Sequence, residues 1–145
     1  MIRVAEAGDL EAILDLLVDF SKEVGTNLAV DHLKQGLGPL LQDNEHGVIL
    51  VAVTHDQILG YCVIGWSWGI ESGGQEALID EVFVLKSHRN TGIGSLLIAG
   101  ALETASAAGA KAVFLETESE NRESRKLYEK HGFKIEHSLW MRKLL

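Results

Sequence analysis

The sequence has only one cysteine, Cys62, and one proline, Pro39. A lone cysteine excludes an internal disulfide and leaves no thiolate cluster for zinc, so no metal site is expected. Long apolar runs are absent too. Val48–Val53 and Tyr61–Trp66 have the length of strands and cannot span a bilayer. The start, Met1-Ile2-Arg3, does not open the charged stretch and apolar core of a leader peptide. Positive charge is scarce through Leu85, where Arg3, Lys22 and Lys34 face fourteen acids, a balance of −11. From Lys86 onward ten bases outnumber seven acids, and the chain as a whole carries −8. That balance disfavours a nucleic-acid binder relying on bulk charge. The expectation is one cytoplasmic domain over residues 1–145, with no membrane or nucleic-acid partner.

What is present is globular: hydrophobic residues make up 46% of the chain and charged ones 23%, enough to build a core. Ile2–Ala5 reads as a short strand. Asp9 then caps a helix whose Leu10, Ile13, Leu17, Phe20 and Val24 share one face, and Gly25 stops it. Val30–Leu41 reads as a second helix, weakened by Gly36, Gly38 and Pro39. Val48–Thr54 and Ile58–Ser67 are strands around the turn His55-Asp56-Gln57, and Gly69–Gln75 is a glycine-rich loop. Leu78–Leu85 is a strand with two acids, Asp80 and Glu81, at its middle. A helix apolar on most sides runs from about Ser95 to Ala108, which implies burial against a sheet. Ala112–Thr117 is a strand and Asn121–His131 a helix ended by Gly132; Phe133–Ile135 and Ser138–Arg142 form a closing antiparallel pair. The order β-α-α-β-β-β-α-β-α-β-β predicts an α/β fold: a mostly antiparallel twisted sheet, flanked by about four helices, with one parallel crossover.

Between the middle strand and the apolar helix lies Arg89-Asn90-Thr91-Gly92-Ile93-Gly94. Two glycines let a ligand approach the backbone, and the first helical turn offers unpaired N–H groups. This is an anion site suited to a diphosphate, with Arg89 as a bidentate donor beside it. A dinucleotide fingerprint needs a third glycine where Leu97 stands, and a P-loop needs Gly-Lys-Ser/Thr; neither is present.

Three blocks taken together say more: Asp80-Glu81-Val82-Phe83-Val84, then Arg89-x-x-Gly92-x-Gly94, then Asn121-x-x-Ser124-x-x-Leu127-Tyr128-Glu129-x-x-Gly132-Phe133. In content and spacing they resemble the GNAT superfamily of acyl-CoA-dependent N-acetyltransferases, over nearly the whole chain. The resemblance implies acetyl-CoA as co-substrate, its diphosphate on the amides of Asn90, Thr91, Gly92, Ile93, Gly94 and Ser95. The pantetheine arm would pass between the strands ending at Val84 and Thr117, near Phe83, Val84, Asn121 and Ser124. A small-molecule or peptide amine would be the acceptor, and a homodimer is compatible with it.

The singled-out residues also have plainer readings. Tyr128 alone reads as a core ring; under the resemblance its hydroxyl faces the acyl thioester. Asn121 is an N-cap in either case. Cys62 reads as an inert core thiol. Asp80 and Glu81, consecutive on a strand, should face opposite sides of the sheet, with Glu81 preferred as proton acceptor. Trp66 and Trp68 are candidates for the acceptor pocket, a dimer contact or plain packing. The rival functions are a catalytically silent acyl-CoA-binding or sensor module on the same fold, and a dinucleotide-binding oxidoreductase.

Overall fold

A computed structural model describes residues 1–145. Five strands form one sheet in the order β1-β2-β3-β4-β5: β1 (Ile2–Val4), β2 (Gly47–Thr54), β3 (Gln57–Gly69), β4 (Gly74–Val84) and β5 (Ala112–Leu115). The first four pair antiparallel, and β4 pairs β5 in parallel. Helices α1 (Leu10–Glu23) and α2 (Val30–Gln42) bury their apolar stripes on one sheet face, against Ile49, Val51, Tyr61, Val63 and Phe83. Helices α3 (Ile93–Ala107) and α4 (Arg122–Lys130) belong to the other face, where Leu97, Ile98 and Ala101 meet Leu50, Cys62 and Ile79. A Cβ on Gly100 would stand 3.2 Å from both Ile2 and Leu50, so glycine lets α3 lie close to the strands. The expected mostly antiparallel α/β architecture is thus observed.

Local expectations fare unevenly. The β2–β3 turn holds His55 and Asp56 at φ 47° and 62°, the left-handed pair of a two-residue hairpin loop. α2 runs straight through Pro39. Asp9 does not cap α1 with its side chain. Its carboxylate is taken by the Arg3 fork at 2.7 and 2.9 Å and by the Glu6 amide at 2.7 Å. The expected loop at Gly69–Gln75 shrinks to a turn over residues 70–73, because β3 and β4 pair out to Gly69 and Gly74.

Two differences bear on function. The closing pair Phe133–Ile135 and Ser138–Arg142 does not form, and the chain leaves α4 without further strands. The link between those segments, Glu136-His137, lacks the left-handed formers of a tight turn, and an isolated two-stranded hairpin is marginal in water. The second difference is in β4. Val63 pairs Glu81 but Ile64 pairs Ile79, so Asp80 is an extra residue, a β-bulge. Ala77, Ile79, Val82 and Val84 all turn to the α3 face despite the change from odd to even numbers. Asp80 and Glu81 therefore share the α1/α2 face, which corrects the expectation of opposite faces.

Candidate active site

Asp80 and Glu81 stand at the edge of a cavity of about 240 Å³ between α1, α2 and the sheet. Its wall is mostly apolar, including Ile13, Leu17, Leu28, Leu33 and Val63, and His32 is its one polar side chain besides the two acids. Burial pushes both carboxyls above their ordinary values, although part of Asp80 remains open to solvent. For Glu81 a hydrogen bond from Tyr61 (Oη to Oε1, 3.0 Å) works against that rise, and the charge of Asp80 adds to it. Tyr61 has no exposed surface, and burial holds its phenol well above the usual range, so it is a fixed donor. Tyr61 and His32 escaped the sequence reading. Tyr61 is two residues from Val63, the pairing partner of Glu81, which is the register signal that would have found it.

The sheet opens next to these acids. β4 pairs β5 only from Glu76↔Ala112 to Ile79↔Leu115, and the bulge follows at once. A bulge bends the strand that carries it; pairing with β3 continues beyond it to Val84, whereas pairing with β5 does not. From Asp80 to Val84 the β5-side edge of β4 has no strand partner. Phe83 contributes only its backbone there, since its ring is buried against Phe20 and Tyr61 at 5.9 Å each.

At the end of β4 the chain turns into α3 through a loop of left-handed residues. Asn90 and Gly92 take φ 60° and 90°, and Gly92 caps the 15-residue helix α3. The amides of Asn90, Thr91, Gly92, Ile93, Gly94 and Ser95 have no backbone or side-chain acceptor. No atom lies within 4 Å of where a Gly92 Cβ would be, so the mouth is open. Six free N–H groups at a helix start suit a diphosphate. Other members hold the loop in shape: Thr91 Oγ1 donates to the His88 carbonyl at 2.5 Å, and Ser95 Oγ is 2.8 Å from Nε2 of His131 at the end of α4. Arg89 is otherwise engaged. Its fork closes on Glu23 of α1 at 2.6 and 2.7 Å, Nε donates to the Val84 carbonyl, and the guanidinium lies 5.4 Å from the centre of the Phe83 ring. In this structure it braces α1 against the loop, a role that the Glu23 partner, 66 residues away, did not announce.

α4 supplies the remaining groups. Asn121 Oδ1 accepts from the Ser124 amide at 3.2 Å, the predicted cap. Tyr128 is half-buried against the α3-face core, its ring edge-on to Phe133 at 6.2 Å, and burial pushes its phenol up. Cys62 in that core is fully buried, its thiol pushed up to about 12, as an inert core residue should be. Trp66 donates its ring N–H to the Asn44 carbonyl, and Trp68 is exposed; neither lines the cavity. No group of His, Cys, Asp and Glu side chains is arranged to hold a metal ion, and no helix is long and apolar enough to cross a membrane.

Comparison with known proteins agrees with this geometry. The chain is 28% identical over 132 residues to the uncharacterized N-acetyltransferase YhfO of Bacillus subtilis (strain 168), covering 91% of this chain and 88% of that one. The crystal structure of a possible acetyltransferase from Clostridium difficile 630 superposes with a TM-score of 0.87 at 24% identity, over 100% of this chain and 97% of its own. The ribosomal-protein-alanine N-acetyltransferase of Brucella melitensis biovar Abortus 2308 gives 0.79 at 20% identity, with 99% of each chain covered. At those identities the two structures speak for the fold alone. Residues 10–133 match the Acetyltransferase (GNAT) family along most of the chain, and the protein belongs to that family.

Proposed function

We propose that residues 1–145 act as one domain that transfers an acetyl group from acetyl-CoA to a primary amine carried on an apolar body. The observation that carries this reading is the Asp80–Glu81 pair, both on one face, at the rim of an apolar cavity and beside the opening of the sheet. An ammonium near pKa 10.4 must lose its proton before it attacks, which costs about 4–5 kcal/mol at pH 7. Two carboxylates in a mostly apolar wall attract that cation, and Glu81, oriented by Tyr61, accepts the proton directly or through water. The acetyl-CoA thioester supplies the electrophilic carbonyl and a thiolate leaving group.

The free amides of residues 90–95 hold the diphosphate, and Asn121 and Ser124 flank the pantetheine arm. A backbone N–H at Phe83 or Val84, on the edge without a strand partner, donates to the carbonyl oxygen as charge develops. Tyr128 keeps its proton, because burial raises its pKa, and hydrogen-bonds the departing sulfur. The lone buried thiol of Cys62 fits a cytoplasmic setting.

The test is thiol release from acetyl-CoA across a panel of amines: aryl- and alkylamines, polyamines, aminoglycosides, amino acids and peptides. Amines with one cationic head and an apolar body should turn over fastest. Turnover of acidic acceptors alone would overturn the acceptor class. Acetyl-CoA binding with no thiol release on any amine would make the chain a silent acyl-CoA-binding module.

A further inference from the structure

Nε2 of His131, at the end of α4, lies 2.8 Å from Oγ of Ser95, in the first turn of α3. Both residues are half-buried, and neither side chain has another hydrogen bond. In a helix each Cα–Cβ bond tilts toward the N-terminus, so the Ser95 hydroxyl leans back toward the free amides of residues 90–95. A hydroxyl has one proton to give. When Nε2 accepts that proton, the Ser95 oxygen turns only lone pairs outward. When Nε2 carries a proton and donates it, the hydroxyl proton is left for a second acceptor. An anion in front of the loop selects the second arrangement.

The loop is also short of positive side chains. Arg89 closes both ends of its fork on Glu23, and the chain has no lysine or arginine from Asn90 to Ala110. Charged neighbours of His131 are few. Lys111 shares a cleft with it, and Glu103, eight positions after Ser95, is the one charged residue of α3. Glu129 and Lys130 precede it and Lys134 follows, and none of these belongs to an ion pair. Histidine is the side chain whose charge ordinarily changes between pH 5 and 8.

We propose that His131 is a positioning residue for the diphosphate of acetyl-CoA: it directs the Ser95 hydroxyl proton to a phosphate oxygen and, once protonated, supplies the positive charge that Arg89 withholds. The inference rests on the reading that residues 90–95 hold the diphosphate. Binding and protonation are then linked. The bound anion favours the proton on the imidazole, and the protonated imidazole favours the anion by the same factor. Affinity is therefore highest at low pH and falls as the imidazole loses its proton. A hydrogen bond to a charged group sets the scale, about tenfold in affinity at a half-exposed site.

Calorimetric titration with acetyl-dephospho-CoA tests it, because this analogue keeps the diphosphate and lacks the 3′-phosphate, which titrates in the same range. Runs in buffers of different ionisation enthalpy count the protons taken up, and thermal melts check that every variant folds. The wild type should bind about tenfold more weakly at pH 8 than at pH 6, and should take up protons on binding near pH 7. His131→Gln keeps an amide donor for Ser95 but cannot change charge, so it should hold the wild type's pH 8 affinity throughout and take up no proton. Ser95→Ala keeps the backbone amide and should lose most of the response. His88 is the other histidine at this loop, its ring 2.9 Å from Ser87 Oγ, and His88→Gln should keep the wild-type response. Tight binding by the wild type with a flat pH profile overturns the inference and leaves the acetyl-CoA reading standing. So does a response that survives in His131→Gln, persists whole in Ser95→Ala or vanishes in His88→Gln. No binding by the folded wild type at any pH overturns both.

Discussion

Tyr61 donates its hydroxyl proton to Oε1 of Glu81 across 3.0 Å, from the neighbouring strand and from a position that solvent does not reach. This bond stabilises the ionised carboxylate against the burial that disfavours it. Tyr61→Phe keeps the ring against Phe83 and removes only the donor. The rising limb of kcat/KM against pH should therefore move to higher pH. An unmoved limb in a folded variant would detach Tyr61 from the proton transfer.

Glu81→Gln should lower kcat by about 10²- to 10⁴-fold, the usual worth of a positioned base, and Asp80→Asn by less. Stability should move the other way. The folded Glu81 carboxyl is held above its ordinary 4.5, so between the two values the native state binds more protons than the unfolded state. Stability then falls as pH rises through that window, and the lost stability is not regained above it. Glutamine carries no such penalty. Thermal melts at pH 4 and pH 8 should show the variant gaining on wild type as pH rises.

The two loop glycines should behave differently. Gly92 sits at φ +90°, so Gly92→Ala strains the backbone by about 1–2 kcal/mol even though the space is open. It should disturb the cradle and weaken acetyl-CoA binding. A Cβ on Gly94 would meet only Leu127 Cδ2, at an ordinary 3.5 Å, so Gly94→Ala should fold and bind within a few fold of wild type. Calorimetric titration with acetyl-CoA separates the two. Unchanged affinity in folded Gly92→Ala would remove the loop from the cofactor site.

Tyr128→Phe should slow turnover by roughly 30- to 1,000-fold, the loss of about 2–4 kcal/mol from one charge-assisted bond in a partly dry site. Acetyl-CoA affinity should hardly change, because the ring and its contact with Phe133 remain. Steady-state kinetics with the best amine of the panel decides it. Wild-type kcat in the variant would return Tyr128 to the core.

Much of this was readable from the residues because it depends on local rules. Gly92 before an apolar helix, and Asn121 three residues before Ser124, are backbone devices whose meaning lies within a few positions. Pairing across the sheet was not readable in the same way. Alternation assigns Asp80 and Glu81 to opposite faces unless a residue is skipped, and the skip shows only when β3 is laid beside β4. The bond from Arg89 to Glu23 joins residues 66 apart, which no window along the chain connects. The C-terminal pair failed for a different reason: strand propensity does not supply a partner, and this segment finds none in its own chain.

The bulge at Asp80 makes the bend of β4 beside the opening a matter of residue count, not of residue type. Removing that residue would leave Ile79 followed by Glu81, Val82 and Phe83 in regular alternation, each still on its present face. The core would survive, but β4 would lose its local bend. Substitution at this position keeps the extra residue and its bend, whereas deletion of a single codon removes both. The bend in β4 is thus exposed to one kind of genetic change and sheltered from the other.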